Sequence, residues 1–163
     1  RLANALVSTG ASPAEMSWRA GVDVLCLGLS KTGAIGCEII VLFGAARDRF
    51  GELKARAKRS GHMPPKMRFL AAQGLALLKD GLWLRLAETA NQRARQLANA
   101  LCGHAGVTLA HAVDGNEVFA ALPGPLVADL QARGAKFYPW PDGTHRFVCS
   151  WATPEADIEQ LFA

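Results

Sequence analysis

Short apolar segments alternate with polar, glycine-containing connections in the first third of the chain. Val22–Leu29 and Ile39–Phe43 are almost continuously apolar. Continuous rather than alternating apolarity is typical of strands that are covered on both faces, so we expect both segments inside the protein. Ser30–Gly36 joins them and contains two glycines, which permit unusual backbone dihedrals and close approach. This arrangement puts Lys31 between two predicted strands.

Helical periodicity governs the start of the chain and its middle. Leu2–Ser8 has apolar residues three and four apart and predicts the end of a helix that stops at Gly10. From Lys66 a longer helical pattern begins, is interrupted at Lys79–Gly81, and continues until Gly103. We expect the part of this pattern after Gly81 to form a helix that connects the first part of the chain to a separate small lobe.

That lobe, from about Leu97 onward, alternates predicted strands and helices. The predicted strands are Val107–Ala110, Val118–Leu122, Phe137–Trp140 and Arg146–Ser150, and the predicted helices are Pro125–Arg133 and a last one from Pro154. Strands interleaved with helices predict an open α/β layer of about four strands.

Composition sets the class of protein but not its function. Half of the 163 residues are apolar and 20% are charged, which is typical of a packed globular protein and excludes disorder and collagen. The longest uncharged stretches are too short for a transmembrane helix, so we expect no membrane partner. A net charge of +4 permits acidic or phosphorylated partners without requiring nucleic acid.

The cysteines and histidines carry no metal-binding or disulfide pattern. The four cysteines include no C-x-x-C pair, and the four histidines lack the spacing of metal ligands. We therefore expect no metal site, and reduced, mostly buried thiols in a cytoplasmic protein.

Lys31 is the strongest candidate for chemistry in the first part of the chain. A lysine among small residues and walled by apolar strands is desolvated, which favours the neutral amine that attacks carbonyl groups. The alternative is an ordinary solvated lysine in a loop.

Two further sets of basic residues invite interpretation. Arg146 lies in an apolar strand, where its guanidinium would have to pair with a carboxylate or phosphate once desolvated; the alternative is a solvated arginine on an edge strand.

A basic run predicts a solvated helical face, with the binding of one small phosphate as the alternative. Few aromatic side chains interrupt it, so nucleic-acid binding is not expected. The run comprises Arg47, Arg49, Lys54, Arg56, Lys58, Arg59, Lys66 and Arg68.

Several motifs, in order, resemble the low-specificity threonine aldolases. The segment with Lys31, Gly28-Leu29-Ser30-Lys31-Thr32-Gly33 after Asp23-Val24-Leu25, is similar to that family's pyridoxal phosphate lysine segment. The other similar stretches are Arg1–Ala5, Lys58–His62, Arg68–Gln73, Lys79–Leu84 and Asn116–Phe119. Together they extend over essentially the whole chain.

The resemblance implies an α/β fold, namely the C-terminal half of a fold type I subunit that depends on pyridoxal 5'-phosphate. On this basis 1–90 is the end of the large cofactor-binding domain with the start of the interdomain helix, and 91–163 is a small C-terminal α/β domain. The implied reaction is a retro-aldol cleavage of threonine, allo-threonine or a related β-hydroxy amino acid to glycine and an aldehyde.

The resemblance also assigns residues. It implies that Lys31 forms the Schiff base with the cofactor and that Arg1 and Arg146 grip the carboxylate of the amino-acid substrate. Family members are homodimers or homotetramers with active sites at subunit interfaces, so the basic group Lys58, Arg59 and His62 is expected to reach the phosphate in a neighbouring subunit. The family's ring-nitrogen aspartate, phosphate-binding loop and stacking histidine have no match here, so we expect little activity from this chain alone.

Two other functions stay open at the level of sequence. The first keeps the fold and cofactor but changes the reaction to β-elimination. The second is a non-catalytic α/β interaction module. Against the module, the two predicted strands of the first part would have exposed, aggregation-prone edges without a partner.

Overall fold

The structure, a computed structural model, describes residues 1–162 and divides into two compact units. The first unit is Arg1–Leu84, and the second begins at Arg85. The helices and strands of the first unit are α1 (Leu2–Thr9), β1 (Val24–Gly28), β2 (Glu38–Leu42), α2 (Phe50–Arg59) and α3 (Arg68–Leu78). The second unit contains most of α4 (Leu82–Cys102), then β3 (Thr108–Leu109), β4 (Glu117–Ala121), α5 (Gly124–Ala132), β5 (Tyr138–Pro139), β6 (His145–Val148) and α6 (Glu155–Phe162).

Helix α1 ends as the sequence predicts. Gly10 follows the helix in the left-handed conformation, with φ of 70°, and its amide donates a hydrogen bond of 2.9 Å to the carbonyl of Leu6. Glycine adopts this conformation without steric cost, which is why it commonly terminates helices. Ala3 and Leu6 are buried on the apolar face of the helix.

Strands β1 and β2 form an antiparallel pair in which Val24 lies opposite Leu42 and Cys26 opposite Ile40. The expectation that both faces of these strands are covered is wrong for the described chain. Val24 is 49% exposed, Ile40 is 47% exposed, and Cys26 on the same face is also exposed. The pair is a two-stranded sheet by itself, and the face that carries Val24, Cys26 and Ile40 is partly open to solvent.

The helical middle of the chain is interrupted where the sequence predicts. A 3₁₀ turn at Lys79–Gly81 separates α3 from α4, and Asp80 within it has a positive φ of 54°. A left-handed residue cannot continue an α-helix, so the chain changes direction there. No helix within residues 1–162 is both long and apolar enough to cross a membrane.

The second unit is an open α/β layer, as predicted. Its sheet has the strand order β3-β4-β6-β5, and every described pairing in it is antiparallel. One face of the sheet packs on α4, α5 and α6 through a continuous apolar core. The core comprises Ala94, Leu97, Ala98, Leu101, Val118, Ala120, Leu130, Phe137, Phe147, Cys149 and Ile158. Because strand side chains alternate between faces, Glu117, Phe119 and Arg146 lie on the opposite face.

Candidate functional site

Lys31 lies in a 3₁₀ turn, Ser30–Thr32, directly after β1. Its neighbours fix this turn: Leu29 is completely buried and Thr32 is 4% exposed. The amide of Leu29 donates to the carbonyl of Cys37 at 2.9 Å, and the amide of Thr32 donates to the carbonyl of Leu29 at 2.9 Å. The backbone at Lys31 is therefore held in place from both sides.

The side chain of Lys31 is exposed, contrary to the expectation of a desolvated amine between two buried strands. The face of the β1–β2 pair that carries Val24 and Ile40 is likewise partly exposed. The amine is accessible to a ligand on a backbone that is itself ordered by buried residues.

Gln73 of α3 braces the loop that follows Lys31. Its Oε1 atom accepts a hydrogen bond of 2.8 Å from the amide of Ile35, and its Nε2 atom donates to the carbonyl of Phe69. Ile35 itself is almost fully exposed. A side chain anchored on a helix thus holds a loop with little packing of its own.

Arg1 is exposed at the N-cap position of α1, and its carbonyl accepts from the amide of Ala5 at 3.3 Å. It belongs to the same unit as Lys31, whereas Arg146 belongs to the second unit.

Arg146 lies on a central strand, so the alternative of a solvated arginine on an edge strand is wrong. Strand β6 is flanked by β4 and β5, and the side chain of Arg146 is only 22% exposed. Its Nε atom donates a hydrogen bond of 2.5 Å to Oε1 of Glu117, and its Nη2 atom forms an ion pair with the same oxygen. Its guanidinium carbon lies 5.4 Å from the ring centroid of Trp140.

The basic group Lys58, Arg59 and His62 lies at the C-terminal end of α2 and in the bend after it, and all three side chains are exposed. Cations in the last turn of a helix interact favourably with the helix dipole, which accounts for the first two without any ligand. Every residue of the basic run is exposed, in agreement with a solvated surface.

A second carboxylate organises the start of α2. Glu52 forms ion pairs with Arg49 at 2.9 Å and with Arg56 at 2.7 Å. The hydrogen bond and charge of Arg49, followed by the charge of Arg56, lower the pKa of the Glu52 carboxyl. These arginines are therefore already engaged with an anion of the chain itself.

The four cysteines are free thiols, as predicted, but they are not mostly buried. Cys37 and Cys149 are buried, while Cys26 and Cys102 are exposed. Burial raises the pKa of the Cys149 thiol to about 11, with the charge of Arg93 opposing the shift. Cys26 is exposed because it lies on the uncovered face of β1.

Sequence reasoning missed the role of Glu117 and Trp140 beside Arg146. Glu117 is a charged residue in a strand that is otherwise apolar, and Arg146 precedes Phe147 and Val148 in β6. In antiparallel register Phe119 lies opposite Arg146, which makes Glu117 its diagonal neighbour on the same face. Two opposite charges in two apolar strands were the available signal, but only the pairing register connects them.

Comparison with known protein families places the chain in a known class. The family model of the beta-eliminating lyases matches residues 1–123, and the chain belongs to this family.

The chain is also similar to individual proteins of known name. A low specificity L-threonine aldolase of Pseudomonas aeruginosa is 44% identical over 99% of the chain and 45% of that protein. A protein of the same name from another Pseudomonas is 40% identical over the whole chain and 47% of its own length. The solved structure of Leishmania major threonine aldolase matches 99% of the chain and 48% of its own length, with a TM-score of 0.79 and 28% identity.

These matches confirm the expected fold. The chain has the α/β architecture of part of a fold type I threonine aldolase subunit. It spans about half the length of the relatives that it matches.

Proposed function

We propose that the full-length protein containing this chain is a pyridoxal phosphate-dependent aldolase. Its substrate would be L-threonine, allo-threonine or a related β-hydroxy amino acid, and its products would be glycine and an aldehyde. The observation that carries the proposal is the exposed Lys31 amine on an ordered turn, in a chain 44% identical to a threonine aldolase.

The residues present fit the cofactor. Lys31 offers a primary amine, the group that condenses with an aldehyde, and buried Leu29 and Thr32 on either side restrict its backbone. When bound, pyridoxal 5'-phosphate supplies an electron sink for the electron pair of the broken bond. Lys31 would hold the cofactor and fix the position at which the substrate meets it.

Arg1 and Arg146 would bind the substrate carboxylate. A guanidinium can bind a carboxylate through two parallel hydrogen bonds, which fixes orientation as well as position. Orientation decides which bond of the amino acid breaks, so we assign Arg146 a part in reaction specificity as well as affinity.

The basic group at the end of α2 would bind the cofactor phosphate in a neighbouring subunit of a homodimer or homotetramer. Its three cationic or ionisable side chains are exposed and near one another in sequence. A double variant, Lys58→Ala with Arg59→Ala, should raise the cofactor dissociation constant of the full-length protein. Lys79→Ala, which removes an exposed lysine outside this group, should leave that dissociation constant unchanged. The assignment would be wrong if the double variant and Lys79→Ala bound the cofactor with equal affinity.

Product analysis tests the reaction. The full-length protein with cofactor should convert L-threonine to glycine and acetaldehyde, and Lys31→Ala should abolish this conversion. The second candidate, β-elimination, is favoured by the family match itself and would instead release a keto acid and ammonia. Finding the keto acid without glycine would replace the aldolase proposal by the lyase proposal.

The chain of 163 residues should by itself bind the cofactor weakly and cleave little threonine. The reason is that the family's ring-nitrogen aspartate, phosphate-binding loop and stacking histidine have no match in this chain, and the Lys31 side chain is exposed. Strong cofactor absorbance and rapid cleavage by this chain alone would contradict this.

A further inference from the structure

The pair of Glu117 and Arg146 lies on the sheet face opposite to the one that packs on α4, α5 and α6. Both side chains are largely covered, with 22% of Arg146 and 25% of Glu117 exposed. Oε1 of Glu117 accepts from Nε of Arg146 and also contacts Nη2. One carboxylate oxygen therefore occupies the Nε–Nη2 side edge of the guanidinium.

The guanidinium carbon of Arg146 also lies over the ring of Trp140, 5.4 Å from its centroid. The ring is held by the turn between β5 and β6, where the Trp140 amide donates to the carbonyl of Thr144 at 2.8 Å. The ring of Phe119 packs against it edge to face, with centroids 5.5 Å apart. An arginine over an indole is attracted by the ring quadrupole, so this contact also helps to hold the guanidinium in place.

The end edge of the guanidinium, with Nη1 and the second proton of Nη2, is left available. Among the described residues Nη1 of Arg146 makes no hydrogen bond. This edge presents two parallel N–H groups, which is the geometry that a carboxylate ligand requires. The Nε–Nη2 side edge of the Arg146 guanidinium is therefore occupied by Glu117, and the end edge is available to bind a carboxylate ligand.

We infer that Glu117 is a positioning residue that, with Trp140, orients Arg146 so that its end edge receives the α-carboxylate of the amino-acid substrate. The inference rests on the proposed function for its ligand. A flexible arginine loses rotamer entropy when it binds, and an arginine already held by Glu117 loses less. Removing the negative charge of Glu117 therefore weakens carboxylate binding even though it removes a nearby anion.

The opposite role for Glu117 would be competition, in which its carboxylate occupies the arginine until substrate displaces it. Competition requires the ligand and Glu117 to use the same edge. Because Glu117 occupies the side edge, the two carboxylates need not exclude each other. The two roles make opposite predictions for a glutamine at this position.

The kinetic test uses the full-length protein with its cofactor. We expect Glu117→Gln to raise the KM for threonine about tenfold and to change kcat by less than about twofold, since uniform binding is lost. Glu117→Asp, which keeps the charge, should raise KM less. Asp129→Asn, which breaks the exposed pair with Arg133, should leave both constants unchanged. A KM for Glu117→Gln that is unchanged or lower would overturn the inference.

A second measurement separates this inference from the proposed reaction. In the ¹⁵N spectrum of the full-length protein with its cofactor, the Nε–H signal of Arg146 should exchange slowly with water and should shift when glycine is added. Both properties should be lost in Glu117→Gln and kept in Asp129→Asn. If the wild type cleaves no threonine but Arg146 behaves in this way, the proposed reaction fails and the positioning role stands. If threonine is cleaved but the Arg146 signal is the same in Glu117→Gln, the positioning role fails and the reaction stands.

Discussion

The side-chain amide of Asn116 donates a hydrogen bond of 2.7 Å to the backbone carbonyl of Cys149, and the backbone amide of Cys149 donates back to the carbonyl of Asn116 at 2.9 Å. Asn116 precedes β4 and Cys149 follows β6, and both are at most 5% exposed. The two bonds close the β4–β6 ladder beside Glu117, so the register of the Arg146 pair depends on them.

Asn116→Ala should destabilise the chain. It removes the donor and leaves the buried carbonyl of Cys149 without its side-chain partner, which costs about 1–3 kcal/mol of unfolding free energy. Urea denaturation followed by circular dichroism measures this. Asn99→Ala, on an exposed position of α4, should change stability by less than about 0.5 kcal/mol. Equal losses of unfolding free energy in the two variants would show that the buried side-chain amide of Asn116 adds no stability beyond that of an exposed asparagine.

Gly33 should be needed for the turn that presents Lys31. Its φ is 120° with ψ of −5°, a conformation that residues with a Cβ atom rarely adopt. Gly33→Ala should therefore cost about 1–3 kcal/mol of unfolding free energy. Gly36→Ala in the same connection is the matched control, because a Cβ there meets no atom within 4 Å. In thermal unfolding, the wild type and Gly36→Ala should have similar melting temperatures, and the melting temperature of Gly33→Ala should be clearly lower.

Alkaline pH should destabilise the chain through Cys149. Burial raises the pKa of this thiol from 9.0 to about 11, so the folded state holds the proton more tightly than the unfolded state. Stability from this group is complete below pH 9 and is lost as pH rises from 9 towards 11, by up to about 1.4 kcal/mol per pH unit. Cys149→Ala should flatten this part of the stability profile, whereas Cys102→Ala, at an exposed site, should keep it. An identical alkaline slope in both variants would argue against the assignment.

The sequence correctly predicted those elements whose ends are marked by glycine or by polar residues. The interruption at Lys79–Gly81 was predictable because glycine and a polar pair break an apolar periodicity, and the structure has a left-handed Asp80 there. The lobe after Leu97 was predictable because its strands and helices alternate at short intervals. These features depend on neighbouring residues alone.

Burial of the first two strands was not predictable from their apolarity. Val24 and Ile40 satisfy the pattern of a covered strand, yet each is nearly half exposed. Coverage depends on which layer packs against a strand, and a residue's own hydrophobicity does not specify its partner. The Lys31 side chain, which was expected to be desolvated between these strands, is exposed as well.

The pairing of Glu117 with Arg146 was hidden for a different reason. The two residues are 29 positions apart, and only the antiparallel register of β4 and β6 makes them neighbours. The carboxylate-binding role assigned to Arg146 and the other site assignments stay predictions until they are tested in solution.

Covalent labelling of Lys31 tests the central proposal most directly. The full-length protein would be incubated with pyridoxal 5'-phosphate, reduced with borohydride and digested, and the labelled peptide would be identified by mass spectrometry. We predict stoichiometric labelling at Lys31, no comparable labelling at Lys58 or Lys79, and loss of the label in Lys31→Arg. A protein that carries the label elsewhere, with Lys31 unmodified, would contradict the proposal.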